Sequence, residues 1–191
     1  ILGRQRNCEI VMAEVTDVDV ESKRVTIGGE PYVYDYLVVA AGCRTNYFGN
    51  DEWAAHAPGL KTIDEAVAIR ARFLLAFEQA ELERDDDARR AALTFAIVGA
   101  GPTGVEMAGA LAEISRHTLR KDFRHFDTNS ARIILLDAGE RVLAAFADES
   151  SARAQADLES LGVEVMLSTM VTNVDSRGLT ISRDGEVTRI D

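Results

Sequence analysis

The chain has 191 residues, of which 47% are apolar and 28% charged, a composition typical of a globular protein. Its formal net charge of −11 argues against nucleic acid as a partner, because that needs clustered cations, and against broad adhesion to anionic lipid. The two cysteines have no CxxC spacing and the three histidines have no HExxH-type spacing, so we expect no metal site.

The first part of the chain is rich in predicted strands. Alternating patterns predict strands near residues 8–15, 18–20 and 23–27, with Gly28-Gly29 as a turn. An apolar run from Tyr36 to Ala41 then stops at Gly42. A run that is apolar on both faces is typical of a central strand in a covered sheet. The polar loop of residues 43–60 follows, and we place a domain boundary within it.

A long helix is predicted next. Thr62 and Glu65 have the spacing of a capping box, and apolar residues recur at helical spacing from Ala66 to Ala80. We expect this helix to fade in the charged residues 84–87. We interpret that cluster as a solvated turn rather than a cation site, because three consecutive carboxylates on a helix cannot all face one ion.

The most informative stretch joins a predicted strand to a predicted helix through a glycine-rich loop. The strand covers Leu93 to Val98, and the helix runs from Pro102 to about Leu119. This arrangement presents a helix N-terminus to a pyrophosphate. The residues expected to bind the dinucleotide are Gly99, Ala100, Gly101, Pro102, Thr103 and Gly104. A glycine-rich turn that binds nothing is the alternative.

The three glycines of the GxGxxG spacing have separate expected roles. Gly99 permits a tight turn, Gly101 lets the backbone approach the phosphates, and Gly104 lets the helix pack closely on the strand.

An acidic residue ends the next predicted strand, Arg132–Leu136. In dinucleotide-binding folds an acid at this place binds the adenosine ribose hydroxyls, which is the role we expect for Asp137. Its distance from Gly99 exceeds the usual offset of about 20 residues, and the long helix and connection account for the excess. An acid there repels a 2′-phosphate and favours NADH over NADPH, although Arg141 lies close enough in sequence to weaken that preference. An ordinary turn residue is the alternative.

A third strand–helix unit completes the pattern. Residues from Ala147 to Leu161 predict a helix closed by Gly162, and a strand follows in residues 162–170. Short strands then turn at Gly178 and Gly185. Strands and helices in alternation predict an α/β fold, a Rossmann-like domain with a parallel, doubly wound sheet and a β-meander.

Four segments together resemble type II NADH dehydrogenases, the single-subunit NADH:quinone oxidoreductases of the two-dinucleotide-binding flavoprotein superfamily. The segments are YDYLVVAAG, TNYFGNDEWAAHAPGLKTIDEA, FAIVGAGPTGVEMAGALAE and IILLDAGERVL. The resemblance covers about residues 8–185. The nucleotide motifs carry the superfamily assignment, and the loop after YDYLVVAAG together with the TGVE continuation carries the type II assignment.

The resemblance implies an FAD-binding domain interrupted by an NADH-binding domain. Residues 1–58 would be a β-rich part of the FAD-binding domain, with Ala41 and Gly42 at the flavin-side strand end. Residues 59–191 would be the NADH-binding domain without its last strand. Because the chain opens on Ile1 rather than Met and both ends look cut, we expect a fragment, inactive alone, that lacks the FAD glycine loop and the C-terminal segment.

The resemblance also implies a reaction in which electrons pass from NADH through FAD to a quinone. FAD and NAD are the implied cofactors, and NADH and a quinone the implied partners. Glu106, in the TGVE segment, is the implied catalytic residue near the nicotinamide; a surface carboxylate favoured by the helix dipole is the alternative. The implied location is cytoplasmic, with the complete enzyme peripheral on the inner face of the cell membrane through segments absent here, and a homodimer is allowed.

The chain departs from the family pattern in three respects, and two other functions remain as alternatives. Ala41 replaces the threonine of a common ATG pattern, and Ala144 replaces a usual proline. Cys43 would lie near the flavin, which admits a thiol mechanism, although Cys8 and Cys43 are also simply explained as small buried hydrophobic residues. The alternative functions are another flavin reductase of the superfamily, linked to ferredoxin, nitrite or a disulfide, and a nucleotide-binding module without activity.

Overall fold

Short alternating segments at the start of the chain form a small antiparallel sheet in the computed structural model, which describes residues 2–191. Its strands are β1 (Val15–Asp19), β2 (Arg24–Ile27) and β3 (Glu30–Val33), in the order β1-β2-β3. Gly28 and Gly29, with φ of 58° and 89°, turn β2 into β3 as predicted. Val25 is the buried hydrophobic residue of this sheet, so the sheet has very little core of its own.

Two predicted strands of this region are absent from the described residues. Residues 8–14 form no strand, and β1 begins only at Val15 and takes in the separate strand predicted at 18–20. The run Tyr36 to Ala41 is not a strand either, and Val38 and Val39 are 87% and 75% exposed. A central strand exists only when neighbouring strands bond to it, and no described strand pairs with these residues.

The chain divides into two compact units, and the boundary in the sequence lies between Gly42 and Cys43. Residues 43–58, which we assigned to the first domain, cluster with the second unit. There the Tyr47 hydroxyl donates to the Ala57 carbonyl oxygen at 2.7 Å, and Arg72 donates to the His56 carbonyl oxygen at 3.4 Å. The assignment of FAD and NADH to domains 1–58 and 59–191 stays a prediction.

The second unit is built on a parallel sheet with the predicted strands. They are β4 (Thr94–Val98), β5 (Arg132–Leu136) and β6 (Val163–Met166), in the order β4-β5-β6. An antiparallel meander follows, made of β7 (Met170–Asp175), β8 (Gly178–Arg183) and β9 (Glu186–Ile190). The helices are α1 (Ile63–Leu82), α2 (Asp86–Ala92), α3 (Pro102–Glu113) and α4 (Asp148–Ser160).

β5 forms the centre of the core because both of its faces are covered. Ile133 and Leu135 lie in one apolar cluster with residues of α1, α3 and α4, and Ile134 and Leu136 lie in another with Leu179 of β8. The helices therefore cover one face of the sheet and the meander covers the other. The predicted parallel sheet and meander are confirmed, but among the described strands the second face is covered by the meander rather than by the second layer of helices that a doubly wound sheet has.

The observed helices differ from the predicted ones mainly in where they begin and end. Thr62 and Glu65 form the predicted capping box of α1. The charged turn after it caps a second helix that we did not predict, because the Asp85 side chain accepts from the Asp87 and Ala88 amides at 3.0 and 2.8 Å. α3 ends earlier than predicted as an α-helix and continues as a π-helical turn, Ile114–Thr118.

Two kinds of feature are absent from the described residues. Within residues 2–191 no helix is both long and apolar enough to cross a bilayer. In the same residues no group of three or more His, Cys, Asp or Glu side chains is placed to hold a metal ion.

Candidate nucleotide-binding site

The glycine-rich loop turns sharply at the end of β4. Gly99 has φ of +105°, a conformation that side chains rarely permit, and its N–H donates to the Leu136 carbonyl oxygen at 2.7 Å. This bond joins the residue directly after β4 to the last residue of β5. The loop therefore begins at the carboxyl edge of the parallel sheet, which is where ligands of such sheets bind.

The other two glycines differ in what surrounds them. A Cβ built on Gly104 would collide with the carbonyl oxygen of Gly99, so the first turn of α3 lies directly against the loop. Gly101 has no heavy atom within 4 Å of its Cβ position and is exposed. One glycine thus allows close helix packing, while the other leaves its backbone open to a ligand.

The N-terminus of α3 carries no compensating group from the protein. Gly101 is its N-cap residue without a side-chain cap, Pro102 begins the helix, and the first turn holds no acidic residue. The other three α-helices each have two acids in the first turn: Asp64 and Glu65, Asp86 and Asp87, Asp148 and Glu149. The positive end of the α3 dipole and its free amides are therefore available to an anion.

Asp137 connects the end of β5 to the glycine-rich loop. Its Oδ2 accepts from the Ala100 amide at 2.6 Å, and its Oδ1 accepts from the Gly139 amide at 2.7 Å. The Ala100 carbonyl oxygen in turn accepts from the Leu143 amide at 2.8 Å. Ala100 is 2% exposed, so residues 137–143 satisfy both backbone groups of a buried residue.

These contacts leave part of the hydrogen-bond acceptor capacity of the Asp137 carboxylate unused. A carboxylate has about four lone-pair sites, and the two amides use two of them. The side chain is half-buried and keeps acceptor capacity for hydroxyl groups. Asp137 can therefore hold the loop and accept ribose hydroxyls at the same time.

The backbone of the next connection adds support that the sequence did not indicate. The Ser168 amide donates to the Gly139 carbonyl oxygen at 2.8 Å, and the Thr169 amide donates to the Asp137 carbonyl oxygen at 2.9 Å. Thr169 is 1% exposed. Bonds between backbone groups that are distant in sequence leave no pattern of residue types, so the sequence did not predict them.

Arg141 and Glu106 have different surroundings. The Arg141 guanidinium pairs with the Asp148 carboxylate and donates to the Ala144 carbonyl oxygen at 2.8 Å. Glu106 lies exposed on α3. Within residues 2–191 the Glu106 side chain forms no ion pair or hydrogen bond that would fix it, so its catalytic role stays a prediction.

Of the residues expected at the flavin, Ala41 and Gly42 end the first compact unit in sequence, and Cys43 is the first residue of the second. Ala41 and Gly42 are exposed, and Gly42 has φ of +74° with open space around its Cβ position. Cys8 is half-buried and Cys43 is exposed, and both are free thiols. The interpretation of Cys43 as a buried small residue is therefore wrong, because the segment before it lacks strand partners.

Comparison with known proteins connects this geometry to a family. The model of the family described as pyridine nucleotide-disulphide oxidoreductase matches residues 2–191. Two proteins of Mycobacterium tuberculosis, the type II NADH:quinone oxidoreductases Ndh and NdhA, are 48% and 45% identical to the chain. Each alignment covers 100% of this chain and 42% of the relative.

Solved structures agree with the sequence matches. NDH2 of Plasmodium falciparum in complex with NADH superposes with a TM-score of 0.75 and 26% identity, over 94% of this chain and 38% of that chain. A ferredoxin reductase of Rhodopseudomonas palustris, at 19% identity and a TM-score of 0.57 over 96% of this chain and 39% of that one, shares the fold. The predicted α/β architecture and the predicted resemblance are confirmed. The chain spans less than half the length of these relatives.

Proposed function

The chain belongs to the pyridine nucleotide-disulphide oxidoreductase family, and we propose that it is the NADH-binding part of a flavoprotein that passes electrons from NADH to a quinone. The observation that carries the proposal is the bare N-terminus of α3 behind the Gly99–Gly104 turn. The choice of quinone as acceptor is supported by the 48% identity, across this whole chain, to a relative named a type II NADH:quinone oxidoreductase.

The pyrophosphate of NADH lies at the first turn of α3 in this proposal. The backbone amides of Thr103 and Gly104 point out of a helix end that has no side-chain cap. Gly101 presents no side chain to obstruct the phosphates. Favourable placement of an anion at a helix N-terminus contributes about 0.3–2 kcal/mol, and the hydrogen bonds from the amides add to it.

Asp137 orients the adenosine half of the dinucleotide. Its remaining lone pairs accept the 2′- and 3′-hydroxyls of the ribose, while its bonds to Ala100 and Gly139 hold the carboxylate in place. The same negative charge repels a 2′-phosphate. The proposed donor is therefore NADH rather than NADPH.

Glu106 lies further along α3 than the pyrophosphate site. One turn of helix separates it from Pro102, and its exposed carboxylate is free to hydrogen-bond the nicotinamide carboxamide or its ribose. Its role in the proposal is to orient the nicotinamide ring for hydride transfer. Orientation of this kind contributes to rate only when the reacting groups are already held close together.

The described residues fit FAD at one place. Ala41 and Gly42 are exposed, and Gly42 has open space around its Cβ position and the positive φ of a tight turn. When bound, FAD supplies the two-electron chemistry, accepting hydride from the nicotinamide and delivering the electrons to the quinone. Residues 1–58 are proposed to belong to the FAD-binding domain and residues 59–191 to the NADH-binding domain.

The location and assembly of the complete enzyme are also part of the proposal. We place it at the inner face of the cell membrane, with the contact made by segments outside this chain. A homodimer is compatible with this arrangement.

The experiment is a two-step anaerobic titration of the full-length protein. In the first step, NADH is expected to reduce the flavin and so bleach its absorbance. In the second step, a soluble quinone analogue is expected to reoxidise the flavin and restore the absorbance. A flavin that NADH leaves oxidised would contradict the proposed donor. Restoration by ferredoxin or a disulfide substrate but not by quinone would instead support another reductase of the same family.

A further inference from the structure

The loop that joins Asp137 to Leu143 passes close to the ribose position. Both of its ends bond to Ala100, one through the Asp137 carboxylate and the other through the Leu143 amide. Arg141 lies two residues before Leu143, and two residues span at most about 7 Å. The backbone of Arg141 is therefore near the place where the adenosine ribose is proposed to bind.

The side chain of Arg141 is held in another direction. Its guanidinium pairs with Asp148, the first residue of α4, and donates to the Ala144 carbonyl oxygen at 2.8 Å. It lies in an open groove of about 420 Å³ along the first turns of α4. The groove is lined by Arg141, Asp148, Ser151, Ala152 and Gln155. No residue of the Gly99–Gly104 loop lines it.

The charges of this loop are mostly negative. Residues 137–148 contain three carboxylates and one cation, Arg141. While Arg141 is paired with Asp148, Asp137 and the exposed Glu140 are the charges left to meet a group on the ribose 2′ position. A 2′-phosphate there would meet like charges and no cation from this segment.

We propose that Asp148 is a positioning residue for dinucleotide specificity, because it holds Arg141 away from the 2′ position of the adenosine ribose. The inference rests on the proposed function, which places that ribose at Asp137. A guanidinium released from Asp148 binds a 2′-phosphate through two parallel hydrogen bonds, the geometry that arginine provides best. The pairing therefore withdraws the one cation of residues 137–148 from the 2′ position, where it would favour NADPH.

The strength of the Arg141–Asp148 pair sets the size of the expected effect. The Asp148 side chain is 93% exposed and that of Arg141 39%, so the pair is a surface pair that solvent screens. Releasing such a pair changes a competing equilibrium by a factor of up to about five. Low ionic strength enlarges the effect, because exposed charges are then less screened.

The test is calorimetric titration of the full-length, flavin-loaded protein with two adenosine ligands. The ligands are 5′-ADP and 2′,5′-ADP, which differ by the 2′-phosphate and require no turnover. Asp148→Asn is expected to raise the affinity for 2′,5′-ADP by up to about fivefold relative to that for 5′-ADP. Adding Arg141→Met to this variant is expected to abolish the gain.

Glu149→Gln is the matched control. Glu149 follows Asp148 in the same helical turn, is exposed, and within residues 2–191 forms no ion pair or hydrogen bond through its side chain. This control removes the same charge without touching Arg141, and we expect the ratio of the two affinities to stay at the wild-type value. An equal gain in the control, or no gain in Asp148→Asn, overturns the proposal.

A second variant tests the inference even if Asp148→Asn folds poorly. Arg141→Met alone is expected to leave the affinity ratio unchanged, because the guanidinium is already withdrawn from the ribose. A several-fold fall in relative 2′,5′-ADP affinity would show that Arg141 already serves the 2′ position, and would overturn the proposal. A wild-type protein that binds neither ligand nor NADH would refute the proposed function itself.

Discussion

Replacing Asp137 with asparagine tests the link between the glycine-rich loop and the end of β5. The carboxylate accepts from the Ala100 and Gly139 amides at 2.6 and 2.7 Å. Asparagine has one acceptor oxygen, so one amide would face an NH₂ group and lose its partner. Because Ala100 is 2% exposed, water does not readily replace the lost acceptor.

The magnitude follows from the two hydrogen bonds. A bond to a charged group contributes about 1.5–3 kcal/mol, and a buried amide left unsatisfied costs about 1–3 kcal/mol. Since asparagine retains one neutral bond, we expect Asp137→Asn to lower the free energy of unfolding by about 2–4 kcal/mol. Urea-induced unfolding followed by circular dichroism measures this change.

Asp122→Asn is the matched control for the same substitution. Asp122 is exposed and within residues 2–191 its side chain forms no hydrogen bond or ion pair, so its replacement should change stability by less than about 0.5 kcal/mol. If Asp137→Asn were as mild as this control, the carboxylate would not hold the loop, and the account of the site geometry would be wrong.

Three further predictions concern other residues. Gly104→Ala should weaken NADH binding by about tenfold or more in a fluorescence titration, because the new Cβ collides with the Gly99 carbonyl oxygen and displaces the helix end. Gly109→Ala, whose Cβ would meet Leu158 at an ordinary 3.9 Å, should leave binding intact. Glu106→Ala in the full-length enzyme should raise the NADH concentration required or slow flavin reduction in stopped flow, with unchanged unfolding. Arg132, which hydrogen-bonds Glu164 across β5 and β6 at 2.7 and 2.9 Å, lowers the pKa of that carboxyl below its ordinary 4.5. The contribution of the ionised Glu164 carboxylate to stability is therefore present above pH 4.5 and is lost as the pH falls through its lower folded-state pKa. Glu164→Gln should accordingly make the free energy of unfolding less dependent on pH on the acid side.

Each of these predictions has an outcome that contradicts it. Equal weakening by the two glycine substitutions would mean that helix flexibility, rather than the collision at Gly104, governs binding. Unchanged NADH requirement and flavin reduction would remove Glu106 from the site. A Glu164→Gln protein with the wild-type acid profile would show that other carboxylates control acid unfolding.

Local signals predicted the centre of the second unit well. The run before Gly99, the glycine spacing and Pro102 all act within a few residues, and the structure has β4, the sharp turn and α3 in that order. Apolar β5 was predicted for the same reason. β5 is predictable because its apolar sequence and its burial agree, whereas β4, none of whose residues is fully buried, is predictable from the loop signals that follow it.

Features that depend on distant partners were not predictable in this way. The run Tyr36 to Ala41 has the composition of a central strand, yet its backbone needs neighbours that the described residues do not provide. The bond of Asp137 to Ala100 joins residues far apart in sequence, and no periodicity indicates it. α2 was missed because its helix-forming cap, Asp85, lies within a charge cluster that also suits a turn.

The most direct test of the account is hydrogen–deuterium exchange of the full-length protein with and without NADH. The account predicts that NADH protects amides of residues 99–106 most strongly, together with those of residues 137–143, because the pyrophosphate and the ribose are held there. Saturating NADH that protects neither segment, or protects only the β7–β9 meander, would contradict the placement of the nucleotide.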